Sequence, residues 1–105
     1  MSKDNLSVEL LKDNRAFKGI WFPKEIWFNE ELSLIDKCVL MEIDSLDNES
    51  HCTASNNYLA SFIGCSEASV SKSVSKLLEL GYIKVVGFDG RIRVLKSNMH
   101  YTAMD

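Results

Sequence analysis

The chain is expected to form a mainly α-helical domain closed by one small β-hairpin. Three observations lead there. Apolar residues recur at helical spacing in segments near 33–46, 55–63 and 67–80. A single residue, Cys65, separates the second segment's terminal Gly64 from Ser66, which opens the third. Two β-branched runs then flank Asp89-Gly90. At 105 residues the chain has room for one domain with one modest core.

In order along the chain, residues 1–16 are polar apart from Leu6, Val8, Leu10 and Leu11. They read as an N-terminal arm, either one or two helical turns or a segment that orders on a partner. An aromatic stretch follows from Phe17 to Phe28. Pro23 biases Phe22 toward an extended backbone and suits the start of a helix, so 18–22 is expected to be extended and 24–28 a short helix. Trp21, Phe22, Trp27 and Phe28 suit the core, or a contact between two copies of the chain.

Ser33, with Asp36 three residues on, forms a variant capping box that opens the first long helix. Cys38, Val39, Ile43 and Leu46 define its inner stripe, while Lys37, Glu42 and Asp44 are expected to look outward. Asp36, like Glu42 and Asp44, reads as part of the solvated side. The cluster Asp47-Asn48-Glu49-Ser50 should end the helix. Residues 51–54 are short and could add a small strand. Ser55 or Asn56 caps the second helix, whose Leu59, Phe62 and Ile63 share a face before Gly64 stops it. Ser66 caps the third, with Val70, Val74, Leu77 and Leu78 on one stripe and Gly81 as the stop.

After Gly81, Tyr82–Phe88 is β-branched and aromatic, and Arg91–Leu95 alternates charged and apolar residues. Asp89-Gly90 between them suits the positive φ of a two-residue hairpin turn. Helix, short strand, helix, tight turn, helix and hairpin is the order of a winged helix-turn-helix. The expected organisation is an arm at 1–16, the winged helix at 17–96 and a flexible tail at 97–105.

Composition narrows the function. With 46% hydrophobic and 26% charged residues the chain is neither disordered nor membrane-spanning by class. No apolar run approaches the roughly 18 residues a spanning helix needs, and the N-terminus does not read as a secretory signal, so a cytoplasmic location is expected. Cys38, Cys52 and Cys65 are an odd, widely spaced set and read as reduced thiols acting as small hydrophobes. Neither they nor His51 and His100 show metal-ligand spacing. No nucleophile elbow or phosphate-binding glycine loop is present, so no enzyme activity, cofactor or metal is expected.

The net charge of −3 hides an asymmetry. Residues 1–65 hold six Lys/Arg against eleven Asp/Glu, whereas residues 66–105 hold six against four. A phosphate backbone meets the local field rather than the total charge. The third helix turns Ala68, Lys72, Ser75, Lys76 and Glu79 away from its apolar stripe, with Ser69 and Ser71 on the flanks. Five serines between Ser66 and Ser75 weaken helix propensity, which leaves little reason for them in packing alone. Small hydroxyl side chains admit a helix to a major groove about 12 Å wide, and Lys72 and Lys76 can neutralise phosphates. The alternative is a solvated helix. Arg, Asn and Gln, which make bidentate base contacts, are absent from this face. On the hairpin, Lys84, Arg91 and Arg93 alternate with Ile83, Val85, Ile92 and Val94, and Lys96 lies just beyond. Such charges can follow a DNA backbone or enter a minor groove, or they can protect a sheet edge from pairing.

Together, the run Ile20-Trp-Phe-Pro-Lys-Glu-Ile-Trp27, Leu32-Ser33, Ala54-Ser-Asn-Asn-Tyr-Leu-Ala60, Gly64-Cys-Ser66 and Leu80-Gly-Tyr-Ile83 resembles one group of domains. These are the winged-helix N-terminal domains of phage and plasmid replication proteins from Gram-positive bacteria and relatives, including replisome-organiser and initiator-like proteins. The resemblance covers roughly Lys18 to Lys96, and its Pro-Lys-Glu-Ile-Trp portion is the more particular. It implies DNA binding at an origin, with Ser69, Ser71, Lys72 and Lys76 on the matching recognition helix. Many such proteins continue into a larger C-terminal domain, which these residues do not include.

The expected partner is double-stranded DNA, bound through Ser66, Ala68, Ser69, Ser71, Lys72, Ser75 and Lys76 of the helix and Lys84, Arg91 and Arg93 of the hairpin. The role would lie in phage or mobile-element replication or in transcription control. A homodimer through residues 1–28 is a further expectation, because two-fold symmetry suits palindromic sites. The rival is a winged helix that docks a replication or regulatory protein and binds DNA little.

Overall fold

Four helices and one antiparallel hairpin make up the described part of the chain in the computed structural model, which covers residues 19–49 and 52–98. The helices are α1 (Lys24–Trp27), α2 (Leu34–Glu49), α3 (Asn56–Ile63) and α4 (Glu67–Leu80), followed by β1 (Ile83–Asp89) and β2 (Ile92–Ser97). This is the winged helix-turn-helix order expected from the sequence. The arm at 1–16 lies outside the described residues, as does the tail beyond Asn98.

Short polar side chains and glycines set the helix ends. The Ser33 backbone N–H donates to Asp36 Oδ2 at 2.9 Å, and the Asp36 N–H donates to Ser33 Oγ at 3.1 Å, which closes the reciprocal box. Ser55 caps α3 by accepting from the Tyr58 N–H, and Ser66 caps α4 by accepting from the Ser69 N–H. Each cap contributes about 1 kcal/mol. Gly64 at φ 89° and Gly81 at φ 84° end α3 and α4 in the left-handed region, where a Cβ is strained. With only Cys65 between Gly64 and Ser66, α3 and α4 are held in the tight turn the spacing predicts.

Helix α2 is the centre of the fold. It packs against α3, α4 and β2, so more of its circumference is covered than a surface helix would bury. Val39, Leu40 and Ile43 are fully buried, joined by Met41, while Cys38 and Leu46 of the expected stripe are only half-buried. Ile26 and Leu32 reach this core from the aromatic segment, Leu59 from α3, Val70, Val74 and Leu77 from α4, and Ile83 and Leu95 from the hairpin. Burying each large side chain contributes roughly 1.5–3 kcal/mol.

Several expectations need correction. Glu42 is 1% exposed and Asp36 is 4% exposed, because α2 is covered on the side where solvent is expected. Glu42 accepts a hydrogen bond from the Tyr58 hydroxyl, and half-buried Asp44 accepts one from Ser97. Lys37 folds back to donate to the Trp27 carbonyl, its ammonium 5.5 Å from that ring's centre. The helix also runs on through Asp47 and Asn48 to Glu49, three residues past the expected end near Leu46 and into the terminating cluster. In α4, Leu78 is partly exposed and its expected place is taken by Ser73, which is buried.

The aromatic segment divides in the same way. Pro23 and Ile26 are buried and Phe22 is half-buried, but Trp21, Trp27 and Phe28 are exposed and do not join the core. Phe22 and Trp27 pack ring against ring at 5.2 Å.

The hairpin differs from expectation by one residue. Asp89 pairs with Ile92, so the two loop residues are Gly90 and Arg91, with Gly90 at φ 66°. A bulge between Val85 and Gly87 shifts the register, leaving Val86 without a partner opposite. Cys52 forms a single bridge to Leu95, whose N–H donates to the Cys52 carbonyl at 2.8 Å. Among the described residues of the small strand expected at 51–54, Cys52 alone bridges. Ser97 is buried at the end of β2, and Asn98 bonds both the Gly81 and Tyr82 carbonyls, so the ordered fold passes the boundary expected at Lys96.

Candidate nucleic-acid interface

Helix α4 buries Val70, Ser73, Val74 and Leu77 and turns Ala68, Ser71, Lys72, Ser75 and Glu79 to solvent. This is the outward face the helical period predicts, and its small side chains let another surface approach the backbone closely. Ser66, also exposed, is committed to the cap and donates from its hydroxyl to Ser69 Oγ at 3.0 Å. Ser69 is accordingly half-buried. The N-terminal turn of α4 carries Glu67, whose carboxylate accepts from the Asn57 side chain at 3.3 Å.

The two lysines of α4 stand in different surroundings. Lys72 is exposed. Lys76 reaches back to Asp36, with its Nζ 2.9 Å from Oδ2, although 43% of its side chain is still accessible. Asp36 is the hub of this region: it also accepts from the Ser73 hydroxyl at 2.5 Å. Burial alone would raise its carboxyl pKa. Hydrogen bonds from Ser73, the Ser33 backbone, Lys76 and the Ser33 hydroxyl outweigh that and hold it below the ordinary 3.8. Lys76 thus brings a charge that is partly balanced already.

On the hairpin, Lys84 lies directly opposite Lys96, both exposed. Two like charges facing each other destabilise an isolated ribbon, so a packing reason for the pair is lacking. Arg91 projects from the loop. Arg93 does not join them. It shares its side of β2 with Leu95 and Ser97, both buried, and its Nη2 donates to Asn56 Oδ1 at 2.5 Å at the start of α3. Ile92, expected to face inward, is 52% exposed.

The structure therefore places Ala68, Ser71, Lys72 and Ser75 on one exposed helix face, and Lys84, Lys96 and Arg91 on the hairpin. It withdraws Arg93 and partly withdraws Lys76. Asp36 and Asn56 anchor those two side chains, whereas the sequence pattern marks them only as cap residues. The alternation of β2 holds the signal for Arg93, because Leu95, two residues on, is the apolar residue that reaches the core.

Among the described residues, no three His, Cys, Asp or Glu side chains gather as a metal site would require. No helix there is long and apolar enough to cross a membrane. In comparison with known proteins, a family model described as a helix-turn-helix domain matches residues 30–83. No curated protein and no solved structure matches the chain. Helix-turn-helix domains are typically non-enzymatic DNA-binding folds. The matched span runs from the loop before α2 to the first residue of β1 and includes the tight turn and all of α4, and the chain belongs to this family of helix-turn-helix domains.

Proposed function

We propose that the chain binds double-stranded DNA with α4 in the major groove and the hairpin along the phosphate backbone. The carrying observation is the face of α4, where Ala68, Ser71 and Ser75 keep the helix surface low beside exposed Lys72. Ser69 adds a hydroxyl at the helix start, held in place by Ser66, whose own hydroxyl caps the helix. Lys72 and Lys76 meet phosphates at the groove wall, while Lys84 and Arg91 follow the backbone. Arg93 acts by holding the hairpin against α3. With no Arg, Asn or Gln on the exposed face, sequence preference is modest and much of the affinity electrostatic. Gel shifts on random duplex DNA at two salt concentrations test this: binding that weakens with salt supports it, and no binding at low salt rejects it.

The role proposed for this binding is in replication initiation or transcription control of a phage or other mobile element. Its support is the similarity of the Pro-Lys-Glu-Ile-Trp segment and the flanking motifs to replication-protein winged helices. A homodimer through residues 1–28 is part of the same reading. The exposure of Trp21, Trp27 and Phe28 supports it, since such rings favour contact areas. Mass in solution at tens of micromolar checks it. A monomer unchanged by DNA counts against it.

The second reading is docking of a replication or regulatory protein. It is favoured by the same exposed rings and by the Asp36 carboxylate that offsets Lys76. It takes first place if duplex DNA does not bind.

A further inference from the structure

Between the hairpin and the start of the helix-turn-helix lies an open groove of about 430 Å³. Phe88 forms part of its wall and is 70% exposed, which leaves its ring free to stack. Arg91 and Arg93 line the groove from the same hairpin, and Asn56, Asn57 and Glu67 line it from the helix starts. Arg93 spends Nη2 on Asn56, while its Nε–H is buried and has no hydrogen-bond partner among the described residues.

We propose that this groove takes an unpaired nucleobase of DNA, stacked on Phe88, at the junction of a duplex with a single strand. The proposal rests on the DNA-binding reading above. The chemistry of the lining selects the occupant. An aromatic face next to guanidinium and carboxamide groups matches a base removed from its stack, which offers a π-face together with donors and acceptors along its edge. Glu67 disfavours a phosphate inside the groove but accepts from an exocyclic amino group, so the base enters and its phosphates stay outside, toward Arg91. A fully paired duplex cannot present a base in this way.

The experiment compares the full chain and Phe88→Ala on three DNAs: a blunt duplex, the same duplex with a four-nucleotide adenine overhang, and the overhang with 2-aminopurine at its first unpaired position. The parent should bind the overhang at least about fivefold more tightly than the blunt duplex, the lower end of what one base stacked on an aromatic ring contributes. It should also quench 2-aminopurine fluorescence on binding. Phe88→Ala should lose the preference and the quenching while keeping blunt-duplex affinity. Equal affinity of the parent for blunt and overhang DNA would overturn the proposal and leave the duplex reading intact. A Phe88→Ala loss that is equal on all three DNAs would also overturn it, since the ring would then be wedging into duplex DNA. Failure of the folded parent to bind any of them would reject the DNA reading itself.

Discussion

The carboxylate of Asp36, at the start of α2, holds the ammonium of Lys76, in the third turn of α4, at 2.9 Å. Asp36 simultaneously completes the α2 cap and accepts from buried Ser73. One side chain therefore joins the central helix to the candidate recognition helix.

Replacing Asp36 by Ala should destabilise the fold by about 2–3 kcal/mol, since a cap and a buried hydroxyl's partner are removed together. Urea denaturation at neutral pH measures it through a lower midpoint at unchanged slope. A loss below about half a kcal/mol would show that the hub is incidental.

The same carboxyl predicts an acid limb. Its folded pKa lies below the unfolded value near 3.8. The unfolded chain therefore takes up the proton first as pH falls. The contribution is complete above the unfolded pKa and is lost as pH falls through the folded one. Asp36→Asn should be less stable than the parent at pH 7, with the gap closing below about pH 4. A gap independent of pH would contradict the assignment.

Lys72 and Lys76 should separate in a salt series on duplex DNA. Lys72→Ala should flatten the dependence of log affinity on log salt by about one unit, as expected for one phosphate neutralised. Lys76→Ala should change it less, because Asp36 already balances part of that charge. Equal slopes for the two variants would mean that DNA displaces Asp36 from Lys76.

Arg93 and Asn56 should couple in stability. A double-alanine cycle should return an interaction of about 1 kcal/mol or more, because the two side chains tie β2 to α3. A value near zero would leave Arg93 as one more surface charge.

Cys52 is fully buried, and burial pushes its thiol pKa up. At neutral pH it should be the slowest of the three cysteines toward an aromatic disulfide reagent, reacting fully only when the chain unfolds. Peptide mapping of the partly labelled protein reads this directly. Early labelling of Cys52 would place it outside the core.

What is legible in the sequence is local. Ser33, Ser55 and Ser66 act on N–H groups three residues away, and Gly64 and Gly81 donate to carbonyls three or four residues back. Spacing alone therefore locates α3, α4 and their turn. What is not legible depends on distant partners. Asp36 and Glu42 sit on α2 like solvated carboxylates, and their burial depends on distant partners such as Ser73 for Asp36 and Tyr58 for Glu42, 37 and 16 residues further on. The hairpin reads one residue early because Asp89-Gly90 is a good turn pair in isolation, whereas the observed register turns at Gly90-Arg91 and places a bulge at Val86. On the candidate interface, the helix period identifies the outward residues of α4. It cannot reveal that Lys76 and Arg93 are each held by a partner on another element.

The most direct test of DNA binding through this face is duplex affinity of a chain in which Lys72, Lys84 and Arg91 are all changed to Ala. These three side chains are exposed and lie on α4 and the hairpin, so the fold should survive, with circular dichroism as the check. The expected result is a folded protein whose affinity at low salt falls at least about 100-fold, roughly 1 kcal/mol for each phosphate left without its cation, with a markedly flatter salt dependence. A folded triple variant that binds duplex DNA as tightly as the parent, with the same salt slope, would contradict binding through α4 and the hairpin.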